Sequence, residues 1–215
     1  YASYGGNEKV VAERAGERFK EMELIALSTG KARGRPMAPT YVLAVDHTHR
    51  EIVLSVRGTK AIGDAITISH FHPEPFLDGY AHRGFAQSAH ELVKEVEPQL
   101  AALRERLTDY RVRFTGHSMG GGIAAMASML LREPGSARTW EKTGSGSGPG
   151  PGTKSADASS ELPTNGWSPV RQTWRPDGPE VVSFATPCCV SLDLARRCGS
   201  WVKSIVYADD AVPRL

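Results

Sequence analysis

Cysteine is scarce in this sequence, charge is nearly balanced, and no apolar run is long. The 215 residues hold 3 cysteines, an odd number, with Cys188 and Cys189 adjacent and Cys198 further on. No disulfide framework has that spacing, so a bridge-built fold is excluded and a reducing compartment expected: intracellular, cytoplasmic or membrane-associated. The thiols read as small buried hydrophobes. A formal net charge of +2, with no run of Lys or Arg, leaves no footprint for a phosphate backbone, so nucleic acid is not expected as a partner. The longest apolar stretch, Ile123 to Leu131, falls far short of the ~20 residues that span a bilayer. Nothing near Tyr1 has the basic start and apolar core of a signal peptide, and the chain reads as an internal fragment or processed product. His70 and His72 could be grouped with Asp78 or His82, but no such spacing matches a closed metal site. Neither metal nor cofactor is expected.

What is present is enough for one globular domain, with 40% hydrophobic residues. Val10, Val11, Phe19, Met22, Ile25 and Ala26 recur loosely at helical period, which predicts an amphipathic helix from about Glu8 to Leu27. Lys31 to Pro39 reads as a loop. Tyr41 to Val45 and Ile52 to Val56 are short apolar runs flanking Asp46-His47-Thr48-His49-Arg50, a β-hairpin pattern. The stretch from Lys60 to Tyr80 is irregular. A long helix is expected from about Gly84 to Leu107, kinked or split at Pro98. Tyr110 to Thr115 reads as a strand, Ser118 to Leu131 as a buried helix, and Val181 to Phe184 as a strand. A short helix over Leu192 to Cys198, N-capped by Ser191, and a last strand from Trp201 to Tyr207 complete the pattern. Pro134 to Gly178 is dominated by Gly, Ser, Pro and Thr, a composition that cannot bury a core and reads as a disordered insertion at 134–178. Alternating strands and helices imply a mostly parallel sheet with helices on its faces.

One motif carries chemistry. Gly116-His117-Ser118-Met119-Gly120 has the form G-x-S-x-G, entered by an apolar strand and left by an apolar helix. A nucleophilic serine held above a sheet edge needs a very tight strand-to-helix turn. Such a turn strains the serine backbone and leaves no room for side chains two residues to either side. The following helix start offers N–H groups and a positive dipole end to an oxyanion, with the Met119 N–H the natural donor. His117 is tempting as the base, but neighbouring side chains on such a turn diverge.

Two further segments fit the same chemistry. Arg57-Gly58-Thr59 ends a strand where the Thr59 backbone N–H could reach the same oxyanion. Tyr207-Ala208-Asp209-Asp210 places two carboxylates after the last strand, where either could accept the Nδ1–H of a catalytic imidazole.

Val56-Arg57-Gly58-Thr59, Ala81-His82-Arg83-Gly84-Phe85, Gly116-His117-Ser118-Met119-Gly120-Gly121, Phe184-Ala185-Thr186-Pro187 and Asp210-Ala211-Val212-Pro213-Arg214-Leu215 together resemble the class 3 (fungal-type) lipases. Within them the chain is similar to the sn-1-specific diacylglycerol lipases. The resemblance implies a partial α/β-hydrolase domain, a mostly parallel sheet with helices on both faces, interrupted by the insertion. It implies ester hydrolysis of acylglycerols through an acyl-enzyme on Ser118, with Thr59 and Met119 as the oxyanion residues. It selects Asp210 over Asp209 as the acid, and makes His82 a structural residue near the site. It places a lid between Thr59 and about Tyr80, with Phe71, Phe76 and Leu77 facing acyl chains or a lipid surface. An acylglycerol or other lipid ester, and a membrane or lipid-droplet surface, are the implied partners. One departure stands out: the fold's order is Ser, Asp, His, yet all seven histidines lie at or before His117. The expected base therefore lies beyond Leu215 in a longer protein. The alternative is a non-catalytic lipid-binding module that has lost it.

Overall fold

A computed structural model of the chain describes residues 22–28, 37–58, 72–133 and 178–214. Its elements in chain order are β1 (Met22–Ser28), β2 (Tyr41–Asp46), β3 (Glu51–Val56), β4 (Pro73–Phe76), β5 (Gly79–His82), α1 (Arg83–Arg106), β6 (Arg111–His117), α2 (Met119–Arg132), β7 (Glu180–Phe184), α3 (Leu192–Cys198), β8 (Val202–Ile205) and a 3-10 turn (Val212–Arg214). The main sheet runs β1-β2-β3-β6-β7-β8. Its first two pairings are antiparallel and its last three parallel.

Alternation makes one face of this sheet apolar. Ile52, Leu54 and Val56 of β3 stand in register with Val112, Phe114 and Gly116 of β6. Phe114 and Gly116 in turn pair with Val181 and Ser183 of β7. All eight are buried. Against this face lies α2, buried from Gly120 to Leu130, with α1 packed alongside it. Each fully buried Leu, Ile or Met here contributes on the order of 1.5–3 kcal/mol, so α2 is the central element of the core.

Helix α1 buries Phe85, Ala89, Leu92, Val93, Val96, Leu100 and Leu103 at spacings of three and four. It remains one helix through Pro98, because Val96, Leu100 and Leu103 hold both sides of the lost N–H in the core. At its far end the Leu107 N–H closes onto the Leu103 carbonyl.

Three expectations change. The C-terminal part of the expected Glu8–Leu27 helix is strand β1, pairing with β2 through a register shift at Leu24/Ala26. Here ladder pairing at the sheet edge overrides a loose helical period; residues 8–21 lie outside the described residues. The irregular stretch before Tyr80 contains a hairpin, β4–β5. Its second strand is latched to the chain after β7 by an Ala81–Val190 bridge and by the His82 N–H on the Cys189 carbonyl. Ser191 stands at the start of α3 but makes no side-chain cap; its hydroxyl accepts the Tyr80 N–H at 3.3 Å.

Residues 134–177 of the expected insertion lie outside the described residues. Gly178, its last position, belongs to the fold: its carbonyl accepts from the buried Arg132 guanidinium at 2.6 Å. The Pro179 carbonyl takes bonds from Arg132 Nε and Ser128 Oγ. Arg132 also lies 4.7 Å over the Trp201 ring.

Candidate active site

The strand-to-helix junction between β6 and α2 is as tight as the motif requires. Ser118 adopts φ 55°, ψ −127°, a conformation that costs a non-glycine residue about 1–3 kcal/mol and persists only where its surroundings impose it. Two of those constraints are visible. A side chain at Gly116 would run into the Gly120 carbonyl and come within 2.7 Å of the Gly121 nitrogen; one at Gly120 would meet the Arg57 carbonyl carbon at 2.7 Å and the Gly58 nitrogen at 2.8 Å. The end of β3 therefore lies directly against the turn. A third constraint is a hydrogen bond, Ser118 N–H to the Phe184 carbonyl at 2.8 Å, which ties the turn to the end of β7.

Among the described residues, this geometry leaves the serine hydroxyl without a capping role. Ser118 occupies the N-cap position of α2, yet its side chain makes no capping bond. Its carbonyl instead receives the Gly121 and Gly122 N–H groups at 2.9 and 3.2 Å. The side chain is half-buried, neither interred nor fully solvated. Met119 is the first residue of α2, so its N–H is one of those a helix start leaves without an intrahelical partner. His117 beside it is exposed.

Asp210 lies past β8, in the turn that follows the strand's carboxyl end. Its Oδ1 accepts the Val212 N–H at 3.0 Å, and its own N–H binds the Tyr207 carbonyl at 2.9 Å. It is half-buried, whereas Asp209 is exposed. The turn is tied back to the loop after β7, where Cys188 Sγ donates to the Pro213 carbonyl at 3.4 Å. Thr59, Phe71 and His70 lie outside the described residues. Gly58, next to Thr59, is packed against the Ser118 turn.

One of the expected lipid contacts is corrected, and another is partly buried. Phe76 is buried in the core, edge-on to the His90 ring at 6.0 Å. Leu77 packs on the same core at a hairpin turn with φ 54°. Both were read from an irregular stretch that is in fact a hairpin, whose alternation turns Phe76 inward. His82 behaves as a structural residue: its ring lies 4.5 Å from that of Phe85. The cysteines divide. Cys189 and Cys198 are buried, with burial pushing their thiols up to about 12 and about 11, while Cys188 is exposed. All three are free.

Two cavities among the described residues lie to the side of this turn. One of about 730 Å³ opens at the amino ends of β6 and β7, lined by Arg104, Tyr110 and Glu180 among others. Another of about 300 Å³ lies between β5 and the chain after β7, lined by His72, Tyr80, His82 and Cys188 among others. Among the described residues no group of three or more His, Cys, Asp or Glu could hold a metal ion, and no helix is long and apolar enough to cross a membrane.

The mostly parallel sheet, with its strained strand-to-helix turn at the carboxyl end of a central strand, has the α/β-hydrolase fold. The fold is that of a Rhizomucor miehei triacylglyceride lipase, with TM-score 0.68 at 14% identity, covering 100% of this chain and 70% of that one. In sequence the chain is similar to the class 3 lipases over part of its length: the lipase (class 3) family model matches residues 53–148. A secreted mono- and diacylglycerol lipase of Fusarium solani is 28% identical over 113 residues, 51% of this chain and 34% of that protein. Human diacylglycerol lipase-alpha is 34% identical over 107 residues, 44% of this chain and 10% of that protein. The chain thus spans about a third of the first relative and a tenth of the second.

Proposed function

We propose that residues 1–215 form part of one α/β-hydrolase domain that hydrolyses carboxylic esters of acylglycerols through an acyl-enzyme on Ser118. The observation that carries this reading is the strained Ser118 backbone with a hydroxyl that caps nothing. A serine at a helix start ordinarily spends its oxygen on the N2 or N3 amide; here the conformation forgoes that bond at a cost and leaves the oxygen open. The relatives named as mono- and diacylglycerol lipases supply the substrate class.

In this reading Ser118 Oγ attacks the ester carbonyl. The developing oxyanion is held by the Met119 and Thr59 N–H groups, and each such donor is worth about 3–4 kcal/mol in the transition state. A base removes the serine proton and returns it to the leaving alcohol, and water then cleaves the acyl-enzyme. Asp210 orients that base and stabilises its cationic form. The base itself is assigned to a histidine C-terminal to Asp210, following the fold's residue order. Contact with a lipid surface belongs to the same proposal.

The test is labelling of the full-length protein by a fluorophosphonate together with hydrolysis of a diacylglycerol. Both should be lost in Ser118→Ala. Equal rates for the two proteins would remove Ser118 from the mechanism, and a folded wild type that neither labels nor hydrolyses would favour the non-catalytic lipid-binding module.

A further inference from the structure

After β8 the chain makes a tight β-turn before it reaches the acid. The Asp210 N–H closes onto the Tyr207 carbonyl at 2.9 Å, with Ala208 and Asp209 between them. Of these residues Ala208 alone has positive φ, at 36°. That is the pattern of a type II′ turn, whose first central position suits glycine because a Cβ is crowded there. Ala208 carries that Cβ, so local preference works against the turn. Relaxation of Ala208 to negative φ would unwind it and move Asp210 away from the end of the sheet.

A side chain from further along holds the turn shut. Arg214 Nη2 donates to the Ala208 carbonyl at 2.9 Å, and the Arg214 N–H donates to the Ala211 carbonyl, also at 2.9 Å. Residues 208–214 thus close into a ring with Asp210 inside it. Within the ring, Asp210 Oδ1 accepts the Val212 N–H at 3.0 Å, which fixes the plane of the carboxylate. The other oxygen, Oδ2, is the one left to meet an imidazole N–H, and its direction follows from the shape of the ring. Cys188 Sγ on the Pro213 carbonyl then fastens the ring to the loop after β7.

Arg214 is exposed. An exposed guanidinium gains little stability from such a bond, since water offers it equivalent acceptors. What the bond does fix is geometry. We infer that Arg214 is a positioning residue for Asp210, whose guanidinium locks the Ala208 carbonyl and with it the turn that aims the carboxylate. This inference rests on the hydrolase reading above, in which Asp210 is the acid. Arg214 acts through that aim and takes no proton itself.

The experiment places Arg214→Met, which keeps a long stem and removes every donor, in the full-length protein, alone and combined with Asp210→Asn. Diacylglycerol is the substrate, and melting temperature checks the fold. Arg214→Gln, polar and shorter, repeats the comparison without adding apolar surface. Alone, either change should lower kcat about tenfold with KM within about twofold of wild type. In the Asp210→Asn background the same change should alter kcat less than about twofold, because the carboxylate it aims is already gone. The pH profile separates aim from charge. A carboxylate beside an imidazole raises the pKa of that ring, so losing the contact moves the acid limb of kcat/KM to lower pH. Losing a nearby cation and nothing else moves it to higher pH. An unchanged kcat, an equal fall in both backgrounds, or a limb moved to higher pH overturns the inference. Failure of the hydrolase reading is distinct: wild type itself would be inactive, or as active as Ser118→Ala.

Discussion

The Ser118 amide and the Phe184 carbonyl meet at 2.8 Å, joining the turn after β6 to the last residue of β7. The bond is what a positive-φ serine needs. In a plain helix start the first N–H groups point along the axis, but at φ 55° the Ser118 N–H is swung sideways onto the neighbouring strand. Strain at the serine is thus offset by a ladder-like bond to the sheet, and its hydroxyl is left over.

This predicts an inversion between stability and function. Ser118→Gly relaxes the backbone at φ 55°, while Ser118→Ala keeps the strain. Thermal or urea unfolding should show the Gly variant more stable than the Ala variant by about 1 kcal/mol, with neither labelled by a fluorophosphonate. An Ala variant as stable as the Gly variant would mean the turn is not strained in solution.

The two carboxylates after β8 should separate cleanly. Asp210 is half-buried with its Oδ1 on the Val212 N–H, and Asp209 is exposed. Asp210→Asn preserves an oxygen for Val212 and should leave the melting temperature close to wild type. As the orienting acid of the base, it should lower kcat by about 10⁴. Asp209→Asn should change kcat less than about twofold. The reverse ranking in steady-state kinetics would transfer the role to Asp209.

Much of this was legible in the sequence because the signals were local. The β2–β3 hairpin, α2 and α3 show their periods and turn residues directly, and Gly116 and Gly120 announce a turn that only bare α-carbons can make. Three things were not legible, each because a tertiary contact decided it. Met22–Ser28 carries a tolerable helical pattern and becomes a strand only because Tyr41–Asp46 offers it a ladder. Phe76 looks like a free aromatic among prolines until the β4–β5 pairing turns it onto His90. Thr186 is one polar residue in Phe-Ala-Thr-Pro, and nothing in that tetrapeptide reveals that its oxygen is buried against Gly121. The choice of Asp210 over Asp209 came from resemblance; the structure adds that Asp210 is half-buried and accepts the Val212 N–H, while Asp209 is exposed.

The cysteines offer a chemical check on the packing of the loop after β7. Cys189 and Cys198 are buried, and loss of solvent pushes their thiols to about 12 and about 11. Thiolate is the reactive form, so at about pH 8 neither should alkylate in the folded protein. Cys188, exposed and two residues beyond Thr186, should take one equivalent of iodoacetamide. Mass spectrometry of native and urea-unfolded protein should show residues 134–215 gaining one label and three labels respectively. More than one label in the native state would mean the loop opens.

The buried His90 sets a pH limit on the fold. It lies on α1 against the Phe76 ring, and desolvation lowers its pKa from 6.5 to about 4; Lys94 adds to the shift and Glu91 offsets part of it. The folded state therefore keeps His90 neutral at pH values where the unfolded chain already binds a proton. Unfolding takes up that proton, so stability from this residue is complete above about pH 6.5, declines as pH falls, and levels off below about pH 4. The interval is about 2.5 pH units, which corresponds to a total of about 3 kcal/mol. His90→Phe removes the titration and keeps a ring against Phe76. Urea unfolding at about pH 7 and about pH 4.5 should show wild type losing about 2–3 kcal/mol more than His90→Phe between the two conditions, since every other group titrates alike in both. Equal losses would mean that His90 is protonated in the fold, and that the packing of α1 on the β4–β5 hairpin is looser than the Phe76 contact implies.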